Sequence, residues 1–385
     1  MSFDFSPAAL DPEFPVRRNF LYFNHAAVSP MPRRVADAMT AHVENVRDRG
    51  AADWRAWFGM IEKTREKAAR LIHASVAEIA FLPNTSWGVN LVALGFPWKE
   101  GDNVVTDDME FPSNAYPWRA LAARGVECRA AKNRAGRIGV EDIAALVDKR
   151  TRVVAVSWVA FHNGWVFPLD EIGRLCRERG ILFVVDAIQG LGALPLDAAA
   201  ANVDVLCADG HKWLYAAEGC AIFYVSEAAR ERVPARARGW WNLKTEGEYL
   251  EYKAEPYSGA RRYEPGTLPA ANVAALGASL DLLAEMGPDA VRARILENVK
   301  ALRLGLLERG WKITSPEPLA SGILAAIPPS GDARTWAKVL EQHGVIIAPR
   351  EGAVRFSPHA GNDVGEVARA LAAIDEIGIP GGRAD

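Results

Sequence analysis

Between residues 78 and 225 one pattern recurs: a short run of apolar, β-favouring residues, then in several places a segment long enough for a helix. The runs occupy 78–82, 103–106, 152–157, 182–186, 203–207 and 221–225. They are apolar throughout instead of alternating, so each expects cover on both faces, as in a mostly parallel sheet wrapped by helices. This predicts an α/β architecture. Ligands of such sheets gather at the carboxyl ends of the strands.

The flanks complete the picture. Val35, Met39, Val43 and Val46 share one helical face, and Trp54, Trp57, Phe58 and Ile61 share another; these aromatics are read as core. After a break at Met286-Gly287-Pro288, the series Val291, Ile295, Val299, Leu302 and Leu306 predicts a helix stopped at Gly310. Strands are expected near 311–314, 322–327, 345–348 and 353–357. The expectation is a large domain over 20–285 and a smaller C-terminal α/β domain over 286–385, with residues 1–19 packing on the latter. The chain has 385 residues, half of them hydrophobic, enough for two such units. There is no internal repeat, and only a short Gly/Pro-rich tail after Ile379.

Charge and cysteine usage narrow the partners. A formal net charge of −3 gives no general attraction to polyanions, so nucleic acid is not expected. No apolar run reaches the ~18 residues of a membrane span, and no membrane partner is expected. The four cysteines form no CxxC pair, and early Asp4, Asp11 and Glu13 replace a basic-then-apolar leader. A reduced, cytoplasmic protein is the expectation.

Three segments carry chemistry. Asp209-Gly210-His211-Lys212-Trp213-Leu214 follows directly on a predicted strand and places Lys212 on a loop at a strand end. An isolated lysine there is usually a solvated charge. Desolvated beside other cations, it becomes a nucleophilic amine able to form an imine with an aldehyde. Upstream, Phe183-Val184-Val185-Asp186-Ala187-Ile188-Gln189 is an apolar strand ending in a carboxylate, which is costly to bury without a cationic partner. The ring nitrogen of pyridoxal 5′-phosphate (PLP) is one such partner; taken alone, Asp186 is equally a metal ligand, ribose binder or helix cap. Further upstream, Pro83-Asn84-Thr85-Ser86-Trp87-Gly88 puts hydroxyls where a helix begins, which suits a phosphate or a plain N-cap.

In this order and spacing the segments resemble the class V aminotransferase family. These are fold-type-I PLP enzymes that include cysteine desulfurases, kynureninases and isopenicillin epimerase-like proteins. The resemblance runs from Tyr22-Phe23-Asn24-His25-Ala26-Ala27 to Arg355. It implies an aspartate-aminotransferase-like α/β fold and PLP as cofactor. Lys212 would then be the Schiff-base lysine, Asp186 the partner of the ring nitrogen and Gln189 a ligand of the ring hydroxyl. Thr85 and Ser86 would hold the phosphate, with His211 beside phosphate or ring. Phe111, in Glu110-Phe111-Pro112-Ser113-Asn114, occupies the family's ring-stacking place. Phe161-His162-Asn163-Gly164 would line the same pocket, with Asn163 or His162 near the ring hydroxyl. Arg261-Arg262-Tyr263-Glu264-Pro265-Gly266-Thr267 looks like the RxExGT segment that crosses to a neighbouring subunit, so Thr267 implies a homodimer with shared sites. Val354-Arg355-Phe356-Ser357 is similar to the family's VRxS strand, whose arginine grips the carboxylate of an amino acid substrate; Arg350 is a second candidate. His25, His162 and His359 are candidates for the substrate pocket, and Trp87, Trp240 and Trp241 for its walls.

The sequence also departs from the family. The connection from Ile347 to Arg355 is short and lacks the cysteine that carries persulfide in desulfurases. Cys207, on a strand, reads as a buried structural thiol, and Asp209 stands where many relatives have a phosphate-binding serine. HExxH, CxxC pairing, GxGxxG, GxxxxGK[ST] and GxSxG are all missing, so no metal, dinucleotide or serine-hydrolase site is expected. Three functions are left: aminotransferase-type or lyase chemistry without a persulfide cysteine, a C–S or C–Se lyase, and a non-catalytic PLP-fold scaffold. The full set of Lys212, Asp186, Thr85, Ser86 and Arg355 argues against the last.

Overall fold

The computed structural model describes residues 3–244, 249–250 and 252–378. The chain opens with α1 (Pro7–Glu13), a short β1 (Leu21–Tyr22) and two long helices, α2 (Arg33–Arg49) and α3 (Trp54–Leu71). Strand and helix then alternate: β2 (Ile79–Leu82), α4 (Thr85–Gly95), β3 (Asn103–Asp107), α5 (Pro112–Arg119) and β4 (Glu127–Ala131). Next come α6 (Val140–Ala144), β5 (Thr151–Ser157), α7 (Leu169–Arg179), β6 (Leu182–Asp186) and β7 (Val205–Asp209). The chain doubles back in β8 (Ala221–Val225), followed by α8 (Glu227–Arg232) and the largely buried α9 (Ala270–Met286). Then follow α10 (Pro288–Glu308), β9 (Lys312–Ile313), β10 (Leu324–Ile327), α11 (Ala333–Gln342) and β11 (Val345–Ile346). The last elements are β12 (Ala348–Arg350), β13 (Ala353–Phe356) and α12 (Val364–Ile377).

Seven strands form one sheet in the order β2-β8-β7-β6-β5-β3-β4. Within it β8 alone runs against the others, pairing antiparallel with both β7 and β2. The central strands are buried along their length except at Arg152 near the start of β5, as their mostly apolar sequences require. The edge strand β4 was not foreseen. Its sequence ECRAA is only partly buried, so it carries no continuous apolar run. The helical face of α2 also differs from expectation, because Val43 and Val46 are exposed, as is Trp54 at the start of α3.

A four-stranded antiparallel sheet, β12-β13-β10-β9, is built from the C-terminal segment. The break before it is sharp: α9 ends at Met286, Gly287 takes φ +81°, and Pro288 starts α10. The N-terminal segment is fastened to this end of the chain. β1 pairs with β11, and Arg17 bonds Asp11, Asp363 and Glu366 at 2.6–2.7 Å. The tail after Ile379, like residues 1 and 2, lies outside the described residues. Among the described residues no helix is long and apolar enough to cross a membrane.

Candidate active site

Because β2, β3, β5, β6 and β7 all point one way, their last residues meet at one edge of the sheet. Asp186 closes β6, Asp209 closes β7, and Thr85 opens the helix that follows β2. A cavity of about 320 Å³ lies there, with Lys212, Asp186, Phe111, Ser86, Arg350 and Arg355 on its wall. A larger hollow of about 720 Å³ lies between α2, α3 and α9, remote from the strand ends. We place the chemistry in the smaller one because the reactive groups converge there.

Lys212 sits on the loop joining β7 to β8. Burial pushes its amine down to about 8; Asp186 opposes that shift, while Arg355 and Arg350 add to it. Its Nζ stands 5.6 Å from the centre of the Phe111 ring. Asp186 is buried, and one oxygen accepts the Ile188 N–H at 3.0 Å. Burial lifts its carboxyl to about 6 against the pull of Lys212. Behind it, Ser157 is the register neighbour of Asp186 on β5. Ser157 donates its N–H and hydroxyl to Glu110 at 2.5 and 2.6 Å. Burial and the charge of Asp107 push the Glu110 carboxyl well up, and Asp107 itself rises to about 6, chiefly through burial. Sequence reasoning missed this acidic backing; a carboxylate beside an apolar strand end was its only signal.

Hydroxyls and helix amides make the opposite wall. Asn84 caps α4 by accepting the Trp87 N–H at 2.8 Å, and the first amides of a helix have no intrahelical carbonyl to meet. Ser86 donates to the hydroxyl of Ser113, 2.7 Å away on α5, so two helix starts meet on this wall. Ser113 had no assigned role in the sequence reading, although its place just after Pro112 marks a helix start. Thr85 faces the cavity while its hydroxyl accepts the Asp209 N–H at 3.0 Å. One Asp209 oxygen accepts the Gly210 N–H, and the other lies 3.2 Å from His211 Nδ1, out of line for a hydrogen bond. Gln189 reaches the wall with its amide donating to Ala26 and accepting from Trp213.

Arg355 closes the cavity from β13. Its side chain is almost fully buried and Nη1 donates to the Phe161 carbonyl at 2.7 Å, yet Nε and Nη2 are buried without a partner. Two parallel donors held this way are what a carboxylate requires. Burial, and then Arg350, lower the affinity of this guanidinium for its proton.

Several expected wall residues lie elsewhere. Asn163 is spent on backbone groups, donating to the Gly136 carbonyl and accepting the Trp165 N–H, and it does not line the cavity. His162 is also off the wall, with its ring 5.2 Å from that of Phe161, which is on it. His25 bonds Ser29 and packs edge-on against Tyr215 and His359; burial drives its ring toward the neutral form. His359 bonds the Trp213 carbonyl in the same cluster. Trp87 and Trp240 are exposed, and Trp241 stacks on Phe58. Thr267 is exposed beside Trp87, off the cavity of its own chain, on a segment that buried Glu264 fastens to Arg65 and the Phe81 N–H.

The donor set fits PLP. Paired hydroxyls at two helix starts suit a dianionic phosphate, a buried carboxyl suits a cationic ring nitrogen, and the neighbouring lysine has its amine shifted toward neutrality. Comparison with known proteins agrees. The family described as Aminotransferase class-V matches residues 21–357. A probable cysteine desulfurase of Methanothermobacter thermautotrophicus is 33% identical over 289 residues, 71% of this chain and 69% of that protein. Another from Pyrococcus abyssi is 27% identical over 395 residues, 96% and 97% of the two chains. The solved apo structure of a cysteine desulfurase from Thermococcus onnurineus NA1 superposes with a TM-score of 0.89 at 25% identity, covering 98% of this chain and 99% of that one. With the fold, the strand-end lysine and the family match in agreement, this chain belongs to the class V aminotransferase family of PLP-dependent enzymes.

Proposed function

We propose that this PLP enzyme carries out aminotransferase-type or lyase chemistry on an amino acid without a persulfide-carrying cysteine. The carrying observation is one cavity in which a shifted lysine amine, a buried carboxyl and an unsatisfied guanidinium converge. When bound, PLP supplies an aldehyde that captures amines and a ring that accepts electrons from the substrate Cα. The residues do the rest. Arg355 grips the α-carboxylate through Nε and Nη2 and so fixes Cα. Lys212, with an amine near 8, takes and returns the proton at Cα as general base and acid. Asp186 offers its charge to the ring nitrogen, Phe111 an aromatic face, and Ser86 and Thr85 a phosphate end.

Two features support chemistry without a persulfide. β12 and β13 are joined by Glu351 and Gly352 alone, and no cysteine lines the cavity. The named relatives, probable cysteine desulfurases, favour a second reading in which the C–S bond of cysteine is cleaved; without a carrier cysteine the sulfur would leave by elimination as sulfide. The reading includes a homodimer in which Thr267 of each chain completes the phosphate end of the other's site; its exposure off its own cavity supports this. All four cysteines are free thiols, which suits a reducing compartment such as the cytoplasm.

The test is to load the protein with PLP, reduce with borohydride and locate the added mass. The expected site is Lys212, and Lys212→Ala should take up no mass on reduction and should be inactive. An unmodified Lys212 would refute the assignment. Incubation with alanine and a keto acid, or with L-cysteine, then separates the readings: a new amino acid supports the first, free sulfide the second. Colour without spectral response to any amino acid would point to a scaffold.

A further inference from the structure

The strand register of the β12-β13 hairpin puts two guanidiniums on one wall. Arg350 is opposite Ala353, and Ala348 is opposite Arg355. Residues directly opposite share a face, and so do residues two apart along a strand. Arg350 and Arg355 are therefore diagonal neighbours on one face, roughly 7–8 Å apart by ordinary sheet geometry. That face is turned to the cavity, and both side chains line it. The tight turn holds this register: Glu351 and Gly352 take φ of +46° and +80°, the two left-handed residues of a two-residue hairpin.

The cavity holds no carboxylate that answers these two charges. Arg355 bonds only the Phe161 carbonyl, and its Nε and Nη2 are buried without a partner. Arg350 makes a hydrogen bond to its neighbouring Pro349 carbonyl at 2.8 Å and no ion pair among the described residues. Asp186 faces Lys212, and Asp209 accepts the Gly210 N–H. A substrate α-carboxylate on Nε and Nη2 of Arg355 neutralises one charge and leaves the other. Unanswered positive charge in a partly dry pocket selects a ligand carrying a matching anion.

We propose that Arg350 is a specificity residue for a substrate with a second acidic group: an amino acid whose short side chain ends in a carboxylate or sulfinate. This rests on the proposed amino acid chemistry and sharpens it. The groups on Arg355 and Arg350 would be the α-carboxylate and the side-chain anion respectively.

The experiment uses the PLP-loaded enzyme and reads the change of its visible band on titration with L-aspartate and L-cysteine sulfinate, against L-asparagine and L-alanine. The acidic ligands should bind roughly 10-fold or more tightly than the neutral ones. In Arg350→Met that ratio should fall toward one, and in Arg350→Lys part of it should return. Arg350 is half-buried on a short strand, so the lysine variant also guards against loss of fold. Three results overturn the inference: no acidic preference in the parent enzyme, a preference that survives in Arg350→Met, or equal weakening of acidic and neutral ligands, which would put Arg350 on the α-carboxylate. A protein without the lysine-bound colour before any amino acid is added fails earlier, and removes the underlying reading together with this one.

Discussion

An amine that titrates near 8 is roughly nine-tenths protonated at pH 7, and only its neutral form attacks an aldehyde. The shift is downward, so the nucleophilic fraction grows as pH rises and levels off above 8. The rate at which the apo-protein takes up PLP, followed by the appearance of colour, should climb about tenfold per pH unit below that point and flatten above it. A profile still climbing near 10, where an ordinary lysine titrates, would show that the side chain feels neither the burial nor the arginines around it. At this scale, residues at strand ends were readable in the sequence, because an apolar run fixes where its last side chain emerges. Lys212, Asp186 and Thr85 are of that kind. Asn163 and His25 are not: each follows a strand or motif closely, but hydrogen bonds hold Asn163 between the Gly136 carbonyl and the Trp165 N–H and turn His25 into an aromatic cluster. Arg350 stood second to Arg355 in the sequence because only strand register reveals that the two share a face.

Between elements, the lysine loop is braced by the turn after β6. Gly192 takes φ +96°, and a Cβ there would lie 2.2 Å from the Trp213 carbonyl, one residue beyond Lys212. Backbone cannot yield as a flexible side chain does. Gly192→Ala should therefore cost about 2 kcal/mol or more, read from the denaturant midpoint, and should lower the yield of coloured protein on reconstitution. The parallel strands of this sheet were legible because burial on both faces writes an uninterrupted apolar run. The edge strand β4 was not, since one of its sides meets solvent and its residues need no such pattern. The exposed face of α2 shows the same limit from the other side: helical periodicity marks an apolar stripe without saying what covers it.

For the whole molecule, the placement of Thr267 makes a prediction that a single chain cannot satisfy. Lys212→Ala and Thr267→Trp should each be nearly inactive alone. If every site joins Lys212 of one chain to Thr267 of another, a mixed dimer holds one site with both native residues, and mixing the two variants after subunit exchange should restore activity. Sites complete within one chain would leave the mixture as inactive as its components.

One direction of travel in the sheet bears on the handedness of the product. β8 turns back directly beside β7, so the backbone carrying Lys212 is pinned at both ends and only its side chain can swing. In the proposed reaction an amine on so short a leash meets a flat reactant from one side, and a hydrogen it removes is returned to that same side. Inverting a substrate's chirality would take a second proton donor on the far side, and under the proposed stacking role that side would belong to Phe111, whose ring carries only carbon.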